Sequence, residues 1–235
     1  MTCLISKLLD SSLVPVSKEQ GSFAGMFDWN LGLLDSVVTH QFEIPIGFDR
    51  WEIRRKAEFI AGRMCAVKAM ASIGKMGGSI GISTFGPAWP DQTIGSITHK
   101  KNLAWCVVRE TVNPESSLGI DVENLVDSQH IDRLYRIVHC LSPQLGSEVN
   151  EYFHVGWTKN QYLTLLFSLY ESYFKCMSPV LKTNKIHAPK IAQLDDGRGV
   201  FTSYIVGMGL VETSFSFEFT HDQVFTLVGF DGGSR

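Results

Sequence analysis

One short run constrains this chain more than any other. Residues 116–125 read SSLGIDVENL: an apolar stretch, Leu118 to Ile120, closes in two carboxylates, Asp121 and Glu123, with one valine between them. As a strand, this run places alternate side chains on one face about 6.6 Å apart, so Asp121 and Glu123 point the same way. Two like charges do not sit side by side at the end of a core strand uncompensated. Burying them without a cation costs on the order of several kcal/mol. Whatever this chain folds into must supply that compensation.

With 235 residues, 44% of them hydrophobic, the chain can bury one large core or two intimate smaller ones. A formal net charge of -3 gives no global positive field for nucleic acid or anionic lipid. An anionic ligand therefore needs local basic groups. The five cysteines (Cys3, Cys65, Cys106, Cys140 and Cys176) are scattered without a C-x-x-C pair, as expected of reduced core thiols in a cytosolic protein. The opening run MTCLISKLLDSSLVPV carries one lysine and is interrupted by Asp10, unlike a signal peptide. No segment runs about 18 apolar residues without a charge, so no membrane span is expected.

Periodicity organises the rest. In DRWEIRRKAEFIAGRMCAVKAMASIG, residues Ile53, Ala57, Ile60, Ala61, Met64, Val67 and Ala71 recur at spacings of three and four, predicting a helix that stops at Gly74. SFAGMFDWN and THQFEIPIGF suggest short strands or extended segments, and residues 74–96 a long Gly- and Pro-rich connection. SITH and LAWCVV predict a short strand, a turn and a buried strand. The run ETVNPESS, residues 110–117, is a candidate linker between parts spanning 1–112 and 113–235. Beyond it, DSQHIDRLYRIVHC predicts a helix, SEVNEYFHVGWTKNQYLTLLFSLYESYFKCM one long helix or two short ones, and GLVETSFSFEFT and QVFTLVGF strands.

An isolated D-x-E is more often a solvated edge pair or a structural ion pair than a ligand set. The sharper reading is a divalent site, because carboxylate oxygens suit Mg²⁺. A third acid is available in Glu171, set among Phe167, Leu169, Tyr170, Tyr173 and Phe174, with Lys175 one turn on along the same face. A surface ion pair between these two would be worth only about 0.3–0.5 kcal/mol, and the apolar neighbours argue against a solvated face. For the anion, Gly95, Ser96 and Thr98 form a small-residue loop, and His99, Lys100 and Lys101 add donors and charge. Arg54, Arg55, Lys56 and Arg63 lie on the predicted helix.

Four of these stretches, in this order, resemble one family. PAWPDQTIGSITH, LGIDVE and TLLFSLYESYFK are similar to the motifs P-x-W-P-x-G-x-x-G-S-x-T-H, G-I/V-D-x-E and F-S-x-K-E-S-x-x-K of the 4′-phosphopantetheinyl transferases, in the enterobactin synthase component D-like type. RRKAEFIAGRMCA resembles that group's R-x-x-E-F-x-x-G-R-x-x-A helix. The resemblance spans residues 54–175. It implies an α+β fold of two similar subdomains related by a pseudo-twofold, with the active site in the cleft between them. The N-terminal subdomain, 1–112, would carry the coenzyme A phosphate-binding loop and helix, and the C-terminal one, 113–235, the metal-binding acids.

Residue by residue, the resemblance implies Asp121, Glu123 and Glu171 as Mg²⁺ ligands. It implies Arg55, Arg63, Thr98, His99 and Lys175 as coenzyme A contacts, and Glu171 and Lys175 as catalytic. The implied reaction moves the 4′-phosphopantetheine arm of coenzyme A to a serine of an acyl or peptidyl carrier protein, for siderophore (enterobactin-like), non-ribosomal peptide or polyketide synthesis, in a cytoplasmic monomer. One departure stands out: Tyr170 replaces the lysine that usually precedes the helix glutamate. The rival readings are a non-catalytic module that binds coenzyme A or the carrier, and an Mg²⁺-dependent nuclease, which the balanced charge disfavours.

Overall fold

Leu103–Val108 is an unbroken apolar run, and a strand of that kind needs cover on both faces and both edges. In a computed structural model, which describes residues 21–27, 42–75, 79–141, 156–187, 189–195 and 197–232, it has them. The chain divides into two compact units, Met1–Pro114 and Glu115–Arg235.

In the first unit, β1 (Ser22–Met26) is followed by helix α1 (Ile53–Ser72), the small hairpin β2 (Gly81–Ser83) and β3 (Gly86–Ala88), then β4 (Thr93–Lys100) and β5 (Leu103–Glu110). The main sheet is antiparallel in the order β1-β5-β4, so the apolar run is central. Its alternation sends Ala104, Cys106 and Val108 into one cluster with Ala57, Ala61, Cys65, Ala66, Ala69 and Met70 of α1. Alanines on that helix face let it approach closely: a Cβ at Gly62 would lie 2.7 Å from a methyl of Ile97 on β4. Gly74 ends the helix as expected, at φ 77°. Its N–H meets the Ala71 carbonyl at 3.1 Å and that of Lys75 the Met70 carbonyl at 3.0 Å, the paired bonds of a Schellman stop.

Three expectations for this unit need correction. The buried face of α1 runs through Cys65, Ala66 and Ala69, whereas Ile53 and Ala71 are exposed, because the sheet takes the alanine-rich stripe. The Gly- and Pro-rich connection contains the β2–β3 hairpin. The expected short strand SITH is longer at its start: β4 takes in Thr93 to Gly95, which were placed in the connection, and a turn at Lys101 and Asn102, with Lys101 at φ 51°, closes it onto β5. Of the segments expected to be extended, 22–26 is a strand and Phe42 makes an isolated bridge to Ile80; residues 28–30 and 39–41 lie outside the described residues.

In the second unit, β6 (Ser117–Asn124), α2 (Ile131–Leu141) and α3 (Lys159–Leu181) precede β7 (Lys190–Asp195), β8 (Arg198–Ile205), β9 (Gly209–Phe219) and β10 (Gln223–Phe230). The sheet is antiparallel in the order β6-β10-β9-β8-β7. Helix α3 starts in a capping box, with Thr158 Oγ1 accepting from the Gln161 N–H and the Gln161 side chain accepting from the Thr158 N–H. Its apolar face packs Leu163, Leu166, Leu169, Tyr173 and Met177 against Phe201, Phe215, Phe217, Val224 and Val228. The alternation of β9 is visible in its burial, with Val211, Thr213, Phe215 and Phe217 all inward. The β7–β8 hairpin was not foreseen, because charged and small residues interrupt its pattern. Part of the expected helical block, residues 147–155, lies outside the described residues.

The architecture is thus mixed helix and strand, α+β, with a long helix on an antiparallel sheet in each unit. Among the described residues no helix is long and apolar enough to cross a membrane. Cys65, Cys106 and Cys176 are buried free thiols, but Cys140 on α2 is exposed, against the expectation of a core position. Cys3 lies outside the described residues.

Candidate functional site

Gly119 sets the geometry of the second unit's polar centre. A Cβ built there would stand 2.0 Å from the Ser172 carbonyl oxygen and 2.6 Å from the Cys176 nitrogen. Strand β6 and helix α3 therefore meet backbone to backbone. Two residues along the same face, Asp121 comes within reach of helix side chains. It is 5% exposed. Lys175 Nζ lies 2.8 Å from its Oδ1 and also donates to the Ile120 carbonyl at 3.1 Å. Ser168 donates to Oδ2 at 3.0 Å. Two motifs far apart in the chain are thereby joined.

The question posed by residues 116–125 has a direct answer for Asp121: a lysine from α3 compensates it. Glu123, half-buried, follows on the same face of β6 and is paired in register with Val224. Glu171, also half-buried, lies at the edge of the helix face that carries Ser168 and Lys175. The donor chemistry, three carboxylates on β6 and α3, suits a hard divalent cation. In the structure Lys175 holds the place of a cation on Asp121, and among the described residues no group of three or more His, Cys, Asp or Glu is gathered as a ready ligand set.

Sequence reasoning missed the hydroxyls beneath Asp121. Ser168, Ser172 and Thr226 are wholly buried. Ser168 and Ser172 are four apart in an otherwise apolar helix, a spacing that could have marked them as facing one polar partner. Thr226 carries no local signal; only the β6–β10 register sets it opposite Asp121. Tyr170, the family departure, sends its hydroxyl to the Ile186 carbonyl at 3.4 Å. Burial, and secondarily the charge of Glu171, push its phenol above the usual range.

The first unit holds a separate basic cluster where the start of α1 meets the end of β4. Arg55 Nη1 is 3.3 Å from His99 Nε2. Glu58, one turn along the helix, ties the group together: its carboxylate lies 3.0 Å from Arg54, 3.8 Å from Arg55 and 3.7 Å from His99 Nδ1. Glu58 was another residue not singled out beforehand, although its spacing from Arg54 and Arg55 was legible. Arg55 also sits 5.6 Å over the Trp51 ring.

The other expected anion contacts lie elsewhere. Thr98 is 3% exposed and, by strand alternation, on the sheet face opposite His99. Arg63 is 5% exposed, stacked 5.1 Å over the Phe59 ring, with its Nη1 making no hydrogen bond. Burial lowers its pKa, opposed by Cys106 and Glu43. The structure therefore brings Arg55 to His99, and Asp121 to Lys175, and leaves Arg63 and Thr98 buried.

Comparison with known proteins points the same way as these groupings. Residues 50–109, from the start of α1 to the end of β5, match the 4′-phosphopantetheinyl transferase N-terminal domain. Enterobactin synthase component D of Salmonella austin is 29% identical over 141 residues, 60% of this chain and 56% of that protein. Its counterpart in Escherichia coli O157:H7 is 32% identical over 123 residues, 52% of this chain and 54% of that protein. The 4′-phosphopantetheinyl transferase Svp of Streptomyces mobaraensis is 29% identical over 161 residues, 67% of this chain and 62% of that protein. The chain spans little more than half the length of the curated relatives it matches. With Arg55, Glu58 and His99 inside the matched stretch and Asp121 joined to Lys175 beyond it, the chain is similar to the 4′-phosphopantetheinyl transferases, enterobactin synthase component D among them.

Proposed function

We propose that this chain transfers the 4′-phosphopantetheine arm of coenzyme A to a serine of an acyl or peptidyl carrier protein, as a cytoplasmic monomer serving siderophore, non-ribosomal peptide or polyketide synthesis. The observation that supports it most is the 2.8 Å contact of Lys175 with Asp121, which unites the strand and helix motifs of the family in one buried polar centre.

In this reading the first unit captures anionic groups of coenzyme A. Arg55 and His99 offer guanidinium and imidazole donors on neighbouring elements, held by Glu58. Arg63 and Thr98 are further coenzyme A contacts in this reading. The second unit carries the chemistry. The carrier serine oxygen forms a bond to the β-phosphorus, the bond from that phosphorus to the bridging oxygen breaks, and adenosine 3′,5′-bisphosphate leaves. Glu171 takes the serine proton. Lys175 stabilises charge on the phosphoryl oxygens.

Asp121, Glu123 and Glu171 are proposed as the acids for Mg²⁺, which supplies positive charge to a diphosphate when bound. Those three acids would hold the ion, and Lys175, which lies 2.8 Å from Asp121 Oδ1, would serve the phosphate oxygens beside it.

A non-catalytic module binding coenzyme A or the carrier is the second reading. What favours it is that Asp121 is already neutralised from within. One experiment separates the two: incubation with apo carrier protein, coenzyme A and Mg²⁺, read by the mass of the carrier. Gain of one phosphopantetheine arm, lost in Asp121→Asn, supports transfer. Tight binding of coenzyme A with no mass gain on any carrier supports the module.

A further inference from the structure

The buried hydroxyls under Asp121 have a direction. Asp121 is paired with Lys175, and an ionised carboxylate can only accept. The Ser168 Oγ–H is therefore spent on Oδ2, at 3.0 Å. Ser168 and Thr226 hydroxyls lie 2.9 Å apart. With the Ser168 proton committed, Thr226 must be the donor in that pair, shared with the Ser168 carbonyl at 3.1 Å. Thr226 Oγ1 is then left to accept, and Ser172 Oγ stands 2.7 Å away to donate, with the Thr226 carbonyl at 3.3 Å as its other, longer acceptor. Proton order thus runs one way, from Ser172 to Thr226 to Ser168 to Asp121. Chains of this kind polarise one another, so each bond strengthens the next. All three hydroxyl residues are wholly buried.

We propose that Thr226 is a positioning residue for Asp121: through Ser168 it fixes Oδ2, and so sets the direction in which Oδ1 is presented to Lys175 or to a cation. Thr226 lies on β10, far from every stretch that resembles the family motifs. It reaches Asp121 because the two are register partners in the β6–β10 pair. The step from positioning to metal uptake rests on the proposed function; the positioning of the carboxylate does not.

The test uses the full-length chain. Thr226→Val keeps the shape and removes the hydroxyl, and Thr226→Ser keeps the hydroxyl. The first readout is the side-chain carboxylate carbon resonance of Asp121 in the metal-free protein, assigned with Asp121→Asn. The second is uptake of Mn²⁺ alone, followed by loss of its free-ion spin resonance signal. Thr226→Val is expected to move the Asp121 resonance and weaken Mn²⁺ at least about tenfold, with thermal unfolding monitored alongside. Thr226→Ser is expected to restore both.

Should Thr226→Val fail to fold, Ser168→Ala removes only the final donor and is expected to move the same resonance. An unmoved Asp121 resonance in a folded variant, or a Thr226→Ser chain as altered as Thr226→Val, overturns the proposal. If the unsubstituted chain neither binds Mn²⁺ nor modifies a carrier, the proposed function falls, while the resonance comparison still decides the role of Thr226.

Discussion

Arg55 and His99 touch each other at 3.3 Å and share Glu58, so they should act as a unit. Under the proposed function, Arg55→Ala and His99→Ala each weaken coenzyme A more than carrier protein, because both belong to the anion cluster. Residues in contact couple by roughly 0.5–3 kcal/mol in double-mutant cycles, whereas independent sites add within about 0.5. Calorimetric titration of coenzyme A into both single variants and the double one measures this. Strict additivity would mean that the two side chains do not meet the same ligand. Tyr170 should matter less. Its hydroxyl makes one long contact, to the Ile186 carbonyl, and a hydrogen bond of that kind nets only about 1 kcal/mol. Tyr170→Phe is therefore expected to change turnover less than about tenfold, equivalent to about 1.4 kcal/mol. A greater loss in steady-state kinetics would make the phenol a participant in the reaction.

At the scale of elements, the contact of β6 with α3 depends on one missing side chain. A methyl at Gly119 would collide with the backbone of Ser172 and Cys176, neither of which is a flexible group that can swing away. Gly119→Ala must push strand and helix apart. Its cost should reach or exceed the upper end of the roughly 1–3 kcal/mol seen for overpacked cores. Separation would also stretch the Lys175 and Ser168 contacts to Asp121 at 2.8 and 3.0 Å. Urea unfolding tests this against Gly86→Ala, a hairpin glycine whose added methyl would meet nothing within 4 Å, although its φ of 132° adds local strain. Equal loss in the two variants would contradict the close approach of β6 and α3.

Across the whole molecule, burial makes the cysteines behave differently. Burial pushes the Cys65 and Cys176 thiols from 9.0 to about 12, and raises Cys106 well above its ordinary value. Cys140 is exposed. Of these four, Cys140 alone should be alkylated by iodoacetamide in the native protein, as peptide masses would reveal. The same shifts predict a pH dependence. In the unfolded chain the Cys65 and Cys176 thiols lose their protons near 9.0, and in the folded protein only at about 12. The unfolded state therefore binds fewer protons between those values, and stability falls as pH rises through that window. Denaturant midpoints that stay flat from pH 8 to 11 would show that the thiols are not held in their protonated form by the fold.

Much of this was legible in the amino-acid order alone. The spacing of apolar residues marked α1, its stop at Gly74 and the alternating strands β9 and β10, because period and capping are local properties. The shared face of Asp121 and Glu123 follows from strand geometry, and the resemblance to a family follows from four short motifs. What answered the charge of Asp121 was not legible. Periodicity says which residues share one face of one element, but not which faces meet. Here that was decided by the bare backbone of Gly119, which brought Lys175 and Ser168 to Asp121, and by the β6–β10 register, which set Thr226 beneath them. In the same way the short strand holding His99 was legible, but only packing against α1 set His99 beside Arg55. Contacts between elements distant in the chain arise from packing and hydrogen-bond register, and only the tertiary structure carries them.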